Sequence, residues 1–342
     1  MSHRAFFAMI MPSLALMIVF VALPLVSIAW QSVFIEHRKV LVPVEACNPF
    51  GCQTELRVDA SAVARLNRAA PSGKFNGLAT YADSSHLAID EIRRIWRESP
   101  GLATALREIA KLRFYNALLF TLAFTLVVTP GTILLGFAIA LAVDAVPKSV
   151  QGAITYVTLL PMIVPSIIGA MVILWMLDTR GLIGATLQFL FRNPSLSVLG
   201  SAPLMWVAIF CYAIWSSAPY AFLVFYAGIQ TVPRETLESA MVDGASSFAR
   251  LRHVIWPHLQ PIAIFLVVVS LMDNFRVFET IIGFNAAASA SSISILIYQD
   301  LQNGDSPSFG SAAATSILTV LAIAVMLTPS MIRSWNVFRR KQ

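Results

Sequence analysis

Charged residues are scarce in this chain, and their scarcity excludes an ordinary soluble domain. Asp, Glu, Lys and Arg make up 12% of the 342 residues, whereas hydrophobic residues make up 57%. Soluble domains carry about 25% charged residues. A membrane-spanning helix needs about 20 apolar residues. Four runs without any Asp, Glu, Lys or Arg meet that length: Ala5–Ile35, Phe114–Val143, Ser149–Leu177 and Asn193–Pro233.

Two further apolar segments complete a predicted set of six membrane-spanning helices. Ile255–Met272 continues to about residue 284 despite internal charges, and Gly310–Ile332 ends the series. The sequence therefore predicts an all-α membrane protein. The predicted spans lie near residues 6–30, 114–141, 153–177, 204–229, 260–284 and 311–333.

Cysteine is also rare, with 3 residues in the whole chain. Cys47 and Cys52 lie close together in the segment CNPFGC, and Cys211 lies within a predicted span. In an oxidising compartment the first two could form a small disulfide loop; the alternative is two free thiols. The 5 His residues are scattered, and none pairs with Cys or a carboxylate at metal-ligand spacing. No metal site is predicted.

The chain lacks a phosphate-binding loop of the form G-x-x-x-x-G-K-[ST]. Gly73-Lys74 is followed by Phe75 and has no glycine five residues before it. No nucleophile–base pair suggests catalysis either. The chain is therefore predicted not to be an enzyme. Its net charge of +6 does not favour nucleic acid, because many basic residues flank the predicted spans.

The distribution of basic residues predicts the orientation in the membrane. The loop at 230–259 contains Arg234, Arg250 and Arg252, whereas Asn285–Gly310 contains no Lys or Arg. Basic residues of short loops favour the cytoplasmic side. Both termini and the 230–259 loop are therefore predicted to be cytoplasmic. The first apolar run is too long for a typical signal peptide and is interpreted as an uncleaved anchor.

One long segment separates the first two predicted spans, and we expect it to lie outside the membrane. It divides the chain into an anchor at 1–30, an external subdomain at 31–113, a core at 114–333 and a tail at 334–342. Residues 36–82 look irregular, whereas Ser84–Leu112 has a helical pattern interrupted at Ser99-Pro100. The alternative is a poorly ordered insertion.

The stretch from Glu238 to Pro261 is amphipathic and has the sequence pattern of a helix, a turn and a second helix. Asp243-Gly244 is a turn signal, because glycine adopts positive φ without penalty. Ala245–Ile255 reads as a second helix with apolar residues on one face. Pro257 and Pro261 are predicted to end that helix.

This stretch resembles the cytoplasmic EAA loop of bacterial ABC importer permeases. The family pattern is E-A-A, three residues, G-A, then F, I, L-P and P. It is matched at Glu238, Ala240, Gly244, Ala245, Phe248, Ile255, Pro257 and Pro261, while Ser239 and Trp256 depart from it. The resemblance implies a type I ABC importer permease fold, here with an enlarged first periplasmic loop. Other elements are most similar to the carbohydrate branch, which handles sugars, polyols and glycerol phosphates.

The resemblance also implies partners and a role for the loop. It implies a second permease subunit, probably a different chain, two ATPase subunits that bind ATP and Mg, and a periplasmic solute-binding protein, all at the bacterial inner membrane. No cofactor is expected in this chain itself. The alternative is an ordinary interfacial helix. The expected ATPase-coupling residues are Glu238, Ala240, Asp243, Gly244, Ala245, Phe248, Arg250, Arg252, Ile255, Pro257 and Pro261.

Polar residues interrupt the fifth predicted span. Charges inside a bilayer are costly, so they usually face the protein interior or an aqueous path. Asp273, Arg276 and Glu279 follow one another at three-residue steps along one predicted helix side. They either line a solute path or form a structural ion network. The candidate path residues are Asp273, Asn274, Arg276, Glu279, Trp215 and Tyr220.

Together these patterns predict the permease subunit of an ATP-driven importer. The expected solute is small and hydroxylated: a sugar, a polyol or a glycerol phosphate. One alternative is another solute, such as a polyamine or an anion. A second alternative is an ion-coupled secondary transporter with Asp273 and Glu279 as its relay, although such transporters need no docking loop and often contain inverted repeats.

Overall fold

The computed structural model of the chain describes residues 3–35, 41–48, 51–70, 73–302 and 308–339. It is predominantly helical, as predicted. Its residues group into two units, of which the first runs to Tyr115 and takes up Leu296–Leu321. The second unit holds Asn116–Ile295 and the chain from Ala322 onward.

The first membrane helix is a continuous rod made of three segments. Its parts are α1 (His3–Met17), a π-helical turn (Ile18–Ala22) and α2 (Leu23–Gln31). Nearly all of its side chains from Met9 onward are exposed, although they are apolar on every side. A helix that is apolar all round and contacts little protein is suited to lipid.

The segment after this helix contains more regular structure than predicted. Residues 36–82 were expected to be irregular, and that expectation is wrong for the part that the structure describes. The elements of the segment are β1 (Phe34–Ile35), β2 (Leu41–Asn48), β3 (Gly51–Val58), α3 (Ala60–Ala69), β4 (Lys74–Phe75), α4 (Ala79–Ala82), α5 (Ile89–Glu98) and α6 (Leu102–Lys111).

Strands β2 and β3 form an antiparallel hairpin whose register runs from Leu41↔Val58 to Asn48↔Gly51. Pro43 is tolerated because each strand of an isolated pair has an unpaired edge. Cys47 and Cys52 are register partners at the closed end. Their side chains lie outside the described part of the chain, so the disulfide stays a prediction.

The helices of this segment begin and end at ordinary signals. Asp59 caps α3 by accepting hydrogen bonds from the Ser61 and Ala62 amides. The Ser61 hydroxyl and the Ala62 amide hold the pKa of the Asp59 carboxyl below its usual value. Helices α5 and α6 are separated at Ser99–Gly101, which confirms the predicted break.

The rest of the chain consists of helices. They are α7 (Arg113–Asp144), α8 (Lys148–Ile163), α9 (Ser166–Leu177), α10 (Leu182–Leu190), α11 (Ala202–Gln230), α12 (Arg234–Val242), α13 (Ser247–Arg250), α14 (Trp256–Phe275), α15 (Glu279–Gly283), α16 (Ile293–Gln302) and α17 (Phe309–Arg339).

Five helices in the described residues are long and apolar enough to cross a membrane, and the α8–α9 pair makes a sixth candidate. That pair is bent by 91° at a short break. Pro165 stands immediately before α9. Because proline disfavours a helical conformation in the preceding residue, it explains a bend at Val164. The six predicted spans therefore correspond to five continuous helices and one broken helix.

The fifth span differs from its prediction at both ends. It was expected at 260–284, but the continuous helix starts at Ser247 and ends at Phe275. A second π-helical turn, Leu251–Ile255, lies between α13 and α14. Proline was expected to stop the helix here, and that expectation is wrong, because α14 contains both Pro257 and Pro261.

The π-helical turns explain how the chain passes Pro24 and Pro257 without ending a helix. Each turn ends two residues before a proline, Pro24 in the first membrane helix and Pro257 in the fifth. The residue between the π-helical turn and the proline donates its amide to the carbonyl five residues earlier. Leu23 donates to Ile18, and Trp256 donates to Leu251. A proline ring crowds the carbonyl four residues back, and the wider π turn relieves that crowding.

The core of the second unit is built on α7 and α11. Phe120 packs against Trp206 with ring centroids 4.9 Å apart, and Phe124 against Phe210 at 5.6 Å. At Gly136 the two helices approach so closely that an added Cβ would lie 2.6 Å from the Ala221 Cβ. Small residues permit such approaches between membrane helices.

A chain of polar contacts joins distant segments of the first unit. Arg113 donates to Asp300 at 2.8 Å, and the Ser311 hydroxyl donates to the same carboxylate at 2.7 Å. His86 Nε2 lies 3.1 Å from the Ser311 carbonyl oxygen. These contacts hold the start of α7, the end of α16 and the start of α17 against the segment after α4. They lie beside a cavity of about 690 Å³.

Candidate functional site

The turn at Gly244 has the geometry that the sequence predicted. Gly244 has φ +76° and donates its amide to the Met241 carbonyl at 3.0 Å. The Ala245 amide reaches the Ala240 carbonyl at 2.9 Å. These two bonds define a Schellman motif, which ends α12 and satisfies its last carbonyls. The next helix begins at Ser247 rather than at Ala245, because Ser246 caps it by accepting from the Ala249 amide.

The helices around this turn expose apolar side chains. Phe248 on α13 is 69% exposed, and Met241 and Val242 at the end of α12 are also exposed. The turn therefore carries an exposed apolar patch made of Met241, Val242 and Phe248. Met241 and Val242 were not among the residues predicted from the sequence. Their apolar character next to a turn signal was the clue that could have identified them.

The other predicted coupling residues extend from Glu238 on α12 to Pro261 on α14. Glu238, Asp243 and Arg252 are exposed, while Arg250 is half-buried and donates to the Ser247 hydroxyl at 3.2 Å. Ile255 ends the π-helical turn. Trp256, which departs from the family pattern, packs on Phe137 of α7 with ring centroids 5.6 Å apart.

A second candidate site lies where α14 ends. Arg276 follows the helix with φ −96° and ψ 20°, and α15 starts three residues later at Glu279. The prediction that Asp273, Arg276 and Glu279 share one helix side is therefore wrong, because the helix ends at Phe275 and the next begins at Glu279. The break nevertheless brings all three charged residues, together with Asn274, to one cavity of about 450 Å³.

The polar groups of this cavity are held by specific contacts. Arg276 donates to Asp273 at 2.9 Å. Asn274 donates to the Thr129 hydroxyl of α7 at 2.9 Å. The Ser292 hydroxyl donates to the Val277 carbonyl at 2.7 Å, which satisfies a backbone group freed by the break. Non-helical backbone at membrane depth is tolerated when protein surrounds it or when it lines a cavity.

Several lining residues were not selected from the sequence. They are Phe124, Ser166, Ala213, Ser216, Ser217, Val277, Phe278 and Thr280. Their types are common in membrane helices, so the sequence offered little signal. Conversely, the two predicted aromatic path residues do not line this cavity. Trp215 packs near Tyr212 at 6.1 Å between ring centroids, and Tyr220 is partly exposed.

A stripe of buried threonines on α7 positions the break. Thr121, Thr125 and Thr129 follow one another at four-residue spacing and are buried. Thr121 accepts the Ile293 amide at 3.1 Å, and Thr129 accepts from Asn274. The spacing, which puts all three on one helix face, was the available signal.

A family model describing the inner membrane component of binding-protein-dependent transport systems matches residues 132–332. The match includes the turn at Gly244, the helix break at 276–278 and most of the cavity lining.

Two curated relatives are similar over most of their length. The trehalose/maltose transport system permease protein MalF of Thermococcus litoralis is 31% identical over 234 residues, which cover 65% of this chain and 75% of the relative. The sn-glycerol-3-phosphate transport system permease protein UgpA of Rhizobium meliloti is 30% identical over 244 residues, which cover 68% of this chain and 79% of the relative.

A solved structure has a similar fold at low sequence identity. It is a crystal structure of a bacterial ABC transporter involved in the import of the acidic polysaccharide alginate, with a TM-score of 0.61 and 20% identity. The similarity covers 73% of this chain and 89% of that chain. At this identity the likeness concerns the fold alone.

Proposed function

This chain belongs to the family of binding-protein-dependent transport system inner membrane components, and we propose that it is the permease subunit of an ATP-driven importer of a small hydroxylated solute. The fold predicted from the sequence, that of a multi-pass type I ABC importer permease, is confirmed. The chain conducts solute rather than catalysing a reaction.

One observation carries the proposed mechanism: the Gly244 turn presents Phe248 on an exposed surface beside a membrane helix. We assign this surface to an ATPase subunit. Helix α13 continues through the π-helical turn into α14 without a break. Movement of the docked turn would therefore be transmitted along α14 to the cavity at its far end.

The proposed assembly contains four further subunits. They are a second permease, two ATPases that bind ATP and Mg, and a periplasmic protein that delivers the solute. The Gly244 turn and the C-terminal end would lie in the cytoplasm, because basic residues cluster there. Six spans would put the N-terminal end on the same side. The segment at 31–113 would then lie in the periplasm as a subdomain.

The cavity chemistry supports a hydroxylated solute. A hydroxyl group both donates and accepts, so a sugar or polyol can bind to the carboxylates of Asp273 and Glu279 and to the Arg276 guanidinium. A volume of about 450 Å³ lies in the range of small-molecule sites. The names of the relatives, which refer to trehalose, maltose and glycerol phosphate, agree with this class.

Replacing Phe248 with serine tests the docking assignment. Truncating a buried aromatic anchor typically costs at least about 2 kcal/mol, or roughly 30-fold in affinity. We expect an ATPase to copurify with the intact chain from membranes and to be lost with Phe248→Ser.

Phe189→Ser is the matched control, because Phe189 is 86% exposed but lies on α10. It should leave copurification unchanged. Equal ATPase recovery with both variants would contradict the assignment.

Replacing Asp273 with asparagine tests the cavity. The change leaves Arg276 without its ion-pair partner and replaces one of the two acceptor oxygens with an amide donor, so we expect the KM for uptake to rise about ten-fold. The measurement is uptake of labelled trehalose, maltose and glycerol 3-phosphate into vesicles that contain the whole transporter.

Asp90→Asn, on the exposed surface of α5, should leave uptake unchanged. An unaltered KM with Asp273→Asn for every transported compound would remove this cavity from the solute path, while the ATPase result would stand by itself.

A further inference from the structure

Helix α6 turns an apolar side outward. Leu102 is 62% exposed and Leu106 is 55% exposed, and their four-residue spacing puts them on one face. Ala105, on a neighbouring face, is buried. The polar residues Thr104, Arg107, Glu108 and Lys111 occupy the remaining side. The helix is therefore amphipathic, yet much of its apolar side has no protein cover within the described part of the chain.

The position of α6 in the chain indicates what covers this face. The helix ends at Lys111, Leu112 is extended with φ −61° and ψ 140°, and the membrane helix α7 begins at Arg113. One residue therefore separates α6 from a membrane-spanning helix. Because consecutive Cα atoms are about 3.8 Å apart, the end of α6 lies within a few ångströms of the start of α7.

Helix α5 has a similar composition. Trp96 and Ile89 are exposed, and the polar side carries three arginines together with Asp90, Glu91 and Glu98. Tryptophan is enriched at the membrane–water interface, and helices that lie in this interface are amphipathic. An apolar face opposite a charged face recurs on two successive helices that lead into the membrane.

We propose that α6, which follows α5 after the break at Ser99–Gly101, lies along the lipid surface and buries Leu102 and Leu106 among the acyl chains. The helix has 10 residues and is therefore about 15 Å long. It would hold the start of α7 at a fixed depth and anchor the external segment on the bilayer. The basic and acidic side chains of α5 and α6 nearly balance. Burial of apolar area, rather than headgroup charge, therefore supplies the attraction.

Spin labels on opposite faces of α6 test the proposal. The labels are placed at Leu106→Cys and Thr104→Cys, positions that lie about 160° apart around the helix. The native Cys47, Cys52 and Cys211 are first replaced by serine. The chain, assembled with its copurifying subunits, is reconstituted in nanodiscs of phosphatidylcholine and phosphatidylglycerol. Collision with oxygen, which concentrates in lipid, is compared with collision with a water-soluble nickel chelate.

At position 106 we expect a shift toward high oxygen and low nickel collision, and at position 104 the reverse. Equal nickel access at both positions would overturn the proposal. A label at 106 that neither reagent reaches would also overturn it, because that result means a protein surface covers α6. Both sites are exposed, so the labels need no room in the core. The outcome does not depend on which solute is transported.

Discussion

Replacing Gly244 with proline is expected to abolish solute uptake and ATPase association while the chain still reaches the membrane. Gly244 has φ +76°, whereas proline fixes φ near −65°. Proline would also remove the amide that donates to the Met241 carbonyl. The fixed φ and the missing amide each prevent the Schellman motif from forming. We therefore expect α12 and α13 to lose their relative orientation, and uptake by the whole transporter to fall at least ten-fold.

Two further substitutions separate backbone conformation from side-chain bulk at this position. A Cβ added at Gly244 has no atom within 4 Å, so a larger residue meets no steric obstacle. Asparagine tolerates the left-handed conformation and should retain most of the uptake. Valine, which is β-branched, should impair it. If valine and asparagine behave alike, the positive φ does not determine coupling.

Replacing Gly136 with alanine is expected to destabilise the packing of α7 against α11. The added methyl group would lie 2.6 Å from the Ala221 Cβ and 2.7 Å from the Phe222 backbone nitrogen. Backbone atoms cannot move aside as a flexible side chain can. Overpacking typically costs about 1–3 kcal/mol, and leucine at this position should prevent accumulation of the folded chain.

Two other glycines provide graded controls. At Gly228 an added Cβ meets only the ends of the Leu259 and Ile262 side chains, which can rotate, so Gly228→Ala should have a smaller effect. At Gly152 on α8 it meets nothing within 4 Å, and alanine should stabilise the helix by up to about 1 kcal/mol. Thermal unfolding of the purified variants measures the expected order of stability, in which the Gly136 variant is the least stable and the Gly152 variant the most stable. Equal stability of the Gly136 and Gly152 variants would contradict the close approach of α7 and α11.

Local features of the fold could be predicted well from sequence. Length and apolarity located the spans, because a bilayer imposes a minimum length on a helix that is independent of neighbours. The turn at Gly244 and the break at Ser99-Pro100 were also predictable, because each depends on the backbone freedom of one or two residues. In these cases the physical cause is contained in the local sequence.

Features that depend on surrounding structure were predicted less well. Pro257 was expected to end a helix, because its effect was judged without the widened turn before it. Glu279 was placed on the wrong helix side, because nothing in its own segment marks the break after Phe275. The cavity is lined by residues from three separate parts of the chain, among them Ser166, Ser216 and Asp273. No periodicity within one segment could have joined them.

The π-helical turn at Leu251–Ile255 also has a consequence for comparing related chains. A π bond spans five residues rather than four, so the turn contains one residue more than an α-helix needs. Each helical residue advances the direction of its side chain by about 100°. A relative without the surplus residue would present the same α13 sequence rotated by about that angle around the helix axis. Residues aligned in this loop therefore have the same side-chain direction only in chains that share the π-helical turn.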